Sequence, residues 1–141
     1  MDREDALDGL VAAEEINRRV RRGGRWYAGW AAVFAGMSVV LTLGVGFLGA
    51  TWVFVPFMVG WAVSFAVLLV YALSKPVTPA GFGWMHGLGM GVWGVVFAAV
   101  LTIGQVYFPA QPAWWVPGAL VTAVPLLAVA CVVLARSREA V

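Results

Sequence analysis

The side chains able to do chemistry in this 141-residue chain are few and widely separated. His86 is the only histidine and Cys131 the only cysteine. All seven carboxylates (Asp2, Glu4, Asp5, Asp8, Glu14, Glu15 and Glu139) fall in the two terminal segments, and between Trp26 and Ala135 the only charged side chain is Lys75. One histidine does not make a zinc site, which takes three or four protein ligands. Haem held by two histidines would need the second from a partner chain, and nothing singles out Met85 or Met90 as an axial ligand instead. His86 therefore reads as an interfacial histidine bonded to water or a backbone carbonyl, with haem ligation as the sharper alternative. A lone cysteine makes no internal disulfide and leaves the redox compartment open. No nucleophile, base and acid set, no paired carboxylates, no P-loop and no nucleophile elbow occur. Gly87-x-Gly89-x-Gly91 lies inside an apolar helix, without a nucleotide-binding context. The sequence predicts neither catalysis nor a cofactor.

The polar residues inside the apolar stretches are Ser38, Thr42, Ser64, Thr102, Gln105 and Thr122, none of them ionisable. Proton-driven transporters mark their pathway with an intramembrane acid or base. Small multidrug-type exporters have four spans in about this length, but their membrane-embedded glutamate has no counterpart here. The most specific pattern is a stripe of small residues. Gly83, Gly87, Gly91, Gly94 and Ala98 recur at spacings of four, four, three and four, and Thr102 and Gln105 continue the same helical face. Small residues so placed let two helix backbones approach closely, and polar groups beyond them hydrogen-bond across the contact. The face either packs on another helix of the same chain, forms a seam between copies, or makes a groove for a flat apolar ligand.

The elements that must position these residues follow from composition. The chain is 62% hydrophobic and 11% charged, against roughly 25% charged residues in an average soluble domain. A water-soluble fold this small has too little interior for so much apolar surface. Four apolar runs, at about 26–48, 51–73, 84–107 and 115–135, each have the roughly 20 residues that cross a hydrocarbon core. The second run alone holds twelve Val, Leu or Phe residues, favouring insertion by about 4 to 7 kcal/mol as an upper bound. The expected fold is all-α: a four-helix integral membrane bundle over 26–135, preceded by a juxtamembrane helical segment 1–25 and followed by a tail 136–141.

Orientation follows from the basic residues. Arg18, Arg19, Arg21, Arg22 and Arg25 precede the first run, Lys75 lies between the second and third, and Arg136 and Arg138 follow the fourth; the other two connections are uncharged. The positive-inside rule then places both termini and the Lys75 loop in the cytoplasm of a cell whose inner (plasma) membrane holds the protein. Trp26, Tyr27, Trp30, Tyr71 and Trp84 are expected as the inner aromatic belt, and Trp52, Phe54, Tyr107, Trp114 and Trp115 as the outer one. Leu48-Gly49-Ala50 suits a tight hairpin, the Pro76 and Pro79 loop breaks the helix twice, Pro117 suits the first turn of the fourth helix, and Pro125 is expected to kink it. The first 25 residues contain no apolar core ahead of a cleavage site, so the first run is expected to act as an uncleaved anchor.

Residues 4–22 read as a helix capped by Asp5 and ended by Gly23-Gly24, with Glu14 and Glu15 four residues before Arg18 and Arg19. The five arginines between 18 and 25 are candidate contacts to anionic lipid; residues 1–25 are a candidate dock for a cytoplasmic protein partner. No basic stripe with interleaved aromatics is present, so nucleic acid is not an expected partner.

Two further comparisons are internal and external. Trp30–Ala35 resembles Trp93–Ala98, Val40–Gly44 resembles Val100–Gly104, and Pro56 stands as far from Lys75 as Pro117 from Arg136. Duplication of a hairpin and chance within a small apolar alphabet are both open, and a true repeat would carry a pseudo-twofold axis along the membrane normal. Arg25-Trp26-Tyr27, following a charged helix and opening the first of four spans, resembles a loose group of small four-span bacterial membrane proteins that tend to be encoded beside winged-helix regulators. That resemblance implies a regulatory or accessory role and transfers no functional residue. The expected function is therefore non-catalytic: an accessory, regulatory or interaction protein, homo-oligomeric, packing through its glycine-rich third span. A small carrier or channel for a neutral solute is the alternative, and a haem protein using His86 the third reading.

Overall fold

The computed structural model describes residues 3–75 and 82–138. Among them there are four helices and no strands: α1 (Arg3–Leu48), α2 (Phe54–Leu73), α3 (Phe82–Tyr107) and α4 (Pro112–Arg138). Each contains a stretch long and apolar enough to cross a membrane: Trp26–Leu48, Phe54–Leu73, Gly83–Tyr107 and Pro112–Ala135. All four ends agree with the sequence reading. Two starts differ by three residues, and the reason is turn chemistry. Thr51 N–H bonds Leu48 O and Phe54 N–H bonds Thr51 O, so apolar Trp52 and Val53 lie in the connection. Pro112 opens α4, where a missing N–H costs nothing, and Gln111 O accepts from both Trp114 and Trp115 N–H. Pro117 therefore sits in the second turn of α4 and not the first, while Pro125 lies within the same helix, which continues through it.

Gly23-Gly24 does not end the first helix, as the sequence had suggested. α1 runs through it without a break for 46 residues. Each glycine costs about 1 kcal/mol relative to alanine, but good helix formers before the pair and an apolar span after it hold the register on both sides. The boundary expected at residue 25 is one of composition only. The two-proline break at Pro76 and Pro79 lies outside the described residues, as do Glu139–Val141.

α1 is the centre of the bundle. It touches α2, α3 and α4, and lies most extensively along α4; α3 also packs on α4, whereas α2 touches α1 alone among the helix backbones. Two hairpins related by a pseudo-twofold would pair α3 with α2 as α1 pairs with α4. They do not meet, so the arrangement lacks the symmetry that a duplication would leave. The interior forms where α1 faces α4. Phe34, Ala35, Ala123 and Leu126 make its middle, Tyr27, Trp30, Ala31, Ala130 and Val133 one end, and fully buried Trp115 the other. No residue of α2 is buried.

Candidate functional site

The glycines of the first candidate, the small-residue face of α3, pack on no other helix among the described residues. A Cβ built at Gly83, Gly87, Gly91 or Gly94 meets no atom within 4 Å. Gly83, Gly87, Gly91, Ala98, Thr102 and Gln105 are exposed and Gly94 is half-buried. The glycines that do permit close approach are others. A Cβ at Gly89 would lie 2.8 Å from Val129 Cγ2, one at Gly104 would lie 2.7 Å from Trp114 Nε1, and one at Gly118 would lie 2.8 Å from Val100 Cγ1. Gly46 lies under the Trp115 ring and Gly44 under the Phe57 ring. At 3.6 residues per turn, Gly104 points roughly a third of a turn away from the stripe and Gly89 nearly half a turn. The expectation that the stripe packs on another helix of the same chain is thus not met. At its far end Gln105 leaves the pattern, because its side chain is long enough for Nε2 to donate to Val45 O of α1 at 3.4 Å.

The second candidate, His86, enters a built environment. Its Nδ1 lies 3.1 Å from Tyr27 Oη, and its ring centroid lies 5.5 Å from that of Trp30. Tyr27 stacks on Trp30, and Trp30 on Phe34. Trp26 meets Tyr71 edge to face at 6.5 Å, and Lys75 Nζ stands 4.2 Å over the Tyr71 ring. Of these groups Trp26, Tyr27, Trp30, Lys75 and His86 line a cleft of about 280 Å³ between the first turns of the apolar part of α1 and the last turns of α2. The positions follow from helix ends meeting at one level: Trp26 begins the apolar part of α1, Lys75 follows α2, and His86 is one turn into α3. Among the described residues no group of three or more His, Cys, Asp or Glu could hold a metal ion. Met85 and Met90 both pack against the core cluster of Tyr27 and Trp30, an apolar role that fits methionine as a gap filler.

A third group was not anticipated as a unit. Ser38, Thr42 and Thr122 are fully buried midway along the bundle. Trp93 Nε1 donates to Ser38 Oγ at 2.6 Å. Thr42 gives its hydroxyl proton to Ser38 O at 2.8 Å and Thr122 gives its own to Ala119 O at 2.7 Å. The two threonine oxygens then stand 3.4 Å apart with both protons committed elsewhere, so that approach is a packing contact more than a bond. No buried side-chain polar atom is left without a partner among the described residues. The available signal was the i, i+4 spacing of Ser38 and Thr42, which puts both on one face. Of the other polar span residues, Ser64 bonds Gly60 O within its own helix, and Thr102 is exposed.

The expected aromatic belts are only partly outward. Trp52 and Trp84, 86% and 74% exposed, stand outside the bundle near its two ends, whereas Tyr27, Trp30 and Trp115 are buried. A tryptophan near a helix end serves the interior when its helical angle faces a neighbour, and residue type alone does not reveal that angle. The side chains of residues 17–25 lie outside the described ones, and with them the expected lipid contacts of Arg18, Arg19, Arg21, Arg22 and Arg25.

The arrangement as a whole offers an open helix face, a half-enclosed aromatic cleft and a satisfied polar centre, with no acid–base or nucleophilic set among the described residues. No protein-family model, no curated protein and no solved structure matches the chain.

Proposed function

We propose that the protein is a non-catalytic multi-pass protein of the cytoplasmic membrane, with both termini inside, that acts by associating with other membrane helices through the small-residue face of α3. The observation that carries this reading is the contrast between two sets of glycines. Gly44, Gly46, Gly89, Gly104 and Gly118 are occupied by neighbouring side chains, while the four on the stripe have open space beside them, as do Gly29, Gly36 and Gly60, and only those of the stripe form a run of four along one helix face. In lipid, apolar area alone drives no association, because the tails are as apolar as leucine. Backbones that approach closely do gain van der Waals contact, and a glycine face permits that. A second copy of the chain is the partner that needs no other gene product, since one face meeting itself gives a closed twofold pair.

The test is Gly87→Leu and Gly91→Leu in the full chain, read by cross-linking in membranes and by size in detergent. Loss of the oligomer with helicity intact is the expected result. An unchanged oligomer would overturn the assignment. The amino-terminal part of α1 supports a role in interaction too. Leu7, Leu10, Val11 and Ile16 are exposed on it, in keeping with a docking helix for a cytoplasmic partner.

A carrier or channel is less well supported. The stripe faces outward and the centre is filled by Phe34, Ser38, Thr42, Thr122 and Trp115, so a glycine-lined path would exist only between copies.

A further inference from the structure

The cleft beside His86 is closed on one side and open on another. α1 forms its floor through Trp26, Tyr27 and Trp30, α2 supplies Leu69 and Leu73, and Lys75 and His86 stand at its rim. The backbones of α2 and α3 make no contact, so no helix-to-helix packing between those two closes the cleft. Lys75 forms no ion pair among the described residues; its ammonium rests over the Tyr71 ring.

Three properties restrict what fits. At about 280 Å³ the cleft lies at the bottom of the roughly 300–1,000 Å³ range of pockets that enclose a whole drug-sized molecule. It therefore takes one end of a longer molecule whose remainder stays outside. Its polar groups are the Lys75 ammonium and His86 at the rim and the buried Tyr27 hydroxyl that bonds His86, and its walls are aromatic and aliphatic. Lys75 is also the only charge between Trp26 and Ala135, and it is positive. A molecule with an anionic head, hydrogen-bond acceptors and an apolar tail matches this order, with the tail leaving through the gap between α2 and α3.

We propose that this cleft binds the phosphate headgroup and first methylenes of an anionic phospholipid from the leaflet nearest the Lys75 end. The phosphate accepts from Lys75 Nζ and from the Tyr27–His86 pair, and the glycerol end of the chain lies against Trp30 and Leu69. α1 continues as one helix from Trp26 back through the arginine segment, so the arginines at 18–25 concentrate anionic lipid around the opening. The proposal rests on the membrane-spanning reading above and is independent of association through α3.

The experiment uses the full chain in nanodiscs of phosphatidylcholine with a minor fraction of phosphatidylglycerol carrying a photoreactive group near the glycerol end of one acyl chain. Adducts are mapped by mass spectrometry. They are expected on the Leu69–Lys75 and Trp84–His86 segments, to fall roughly fivefold in Lys75→Gln, and to persist in Lys75→Arg; adducts around residues 18–25 are expected to remain in all three. Circular dichroism of Lys75→Gln confirms that the helices are kept. Adducts confined to residues 18–25, labelling unaffected by Lys75→Gln, or equal labelling by the matching phosphatidylcholine probe would each overturn the site. A chain that stays in solution and does not enter the disc would overturn the membrane-spanning reading together with it.

Discussion

Among the described residues, Trp30, Trp61, Trp93, Trp114 and Trp115 each donate the indole N–H to a specific acceptor. Trp30 bonds Leu68 O of α2, Trp61 bonds Met37 O of α1, Trp114 bonds Val100 O of α3, and Trp115 bonds Phe108 O in the connection before α4. Trp93 alone uses a side chain, Ser38 Oγ. In an apolar surrounding a polar hydrogen without an acceptor costs about 1–3 kcal/mol, while the bond itself contributes about 1. Ser38→Ala strands the indole donor and Trp93→Phe strands the fully buried Ser38 hydroxyl, so each is expected to lower stability by about 1–3 kcal/mol and the double change by less than their sum. Thermal unfolding in detergent, followed by near-ultraviolet circular dichroism, compares the three variants. Additive losses would mean that the two groups are not coupled. The turn at Phe108-Pro109-Ala110-Gln111 offers a change of opposite sign. Gln111 N–H bonds Phe108 O, and Ala110 has φ 54°, a left-handed conformation at the position where such a turn favours glycine. Ala110→Gly is expected to raise stability by about 1 kcal/mol through relief of the Cβ clash, measured in the same unfolding assay.

Helix α3 is where pattern and packing part company. Its most conspicuous glycines face outward, and the two that matter for its own bundle, Gly89 and Gly104, belong to no stripe. A side chain at Gly104 would displace Trp114 or Trp115, and one at Gly46 would strike the Trp115 ring. Gly46→Leu and Gly104→Leu are thus expected to lose the folded bundle, at about 1–3 kcal/mol or more of overpacking. Gly87→Leu, with space around it, keeps the bundle; tryptophan fluorescence of the three variants in detergent separates the two classes. The existence and length of the four apolar helices were legible in the sequence, because a run of some twenty apolar residues has few other ways to satisfy its backbone. Which helix lies against which was not. Apolar residues are interchangeable partners, and α1 could equally have met α2 or α3 along most of its length. The boundary at Gly23-Gly24 was misread for a related reason: propensity is a weak preference, and context on both sides overrode it.

At the scale of the molecule, basic residues set the expected orientation and the uncharged Phe108–Gln111 turn marks the opposite end. Cysteine placed at exposed Ala113 is expected to react with a membrane-impermeant maleimide from outside intact cells; reaction only after lysis would reverse the topology. The bundle is built around α1, whose largest contact is with α4, the helix farthest from it in sequence. That pairing has a consequence for biosynthesis. In the proposed membrane-spanning arrangement, the first span would enter the membrane while the second and third are still being translated, with Ala35 and Thr42 facing Ala123, Leu126 and Thr122 that have not yet been made. The interior would then close only after the fourth span joins it, so the time spent exposed would grow with every residue translated between Leu48 and Pro112.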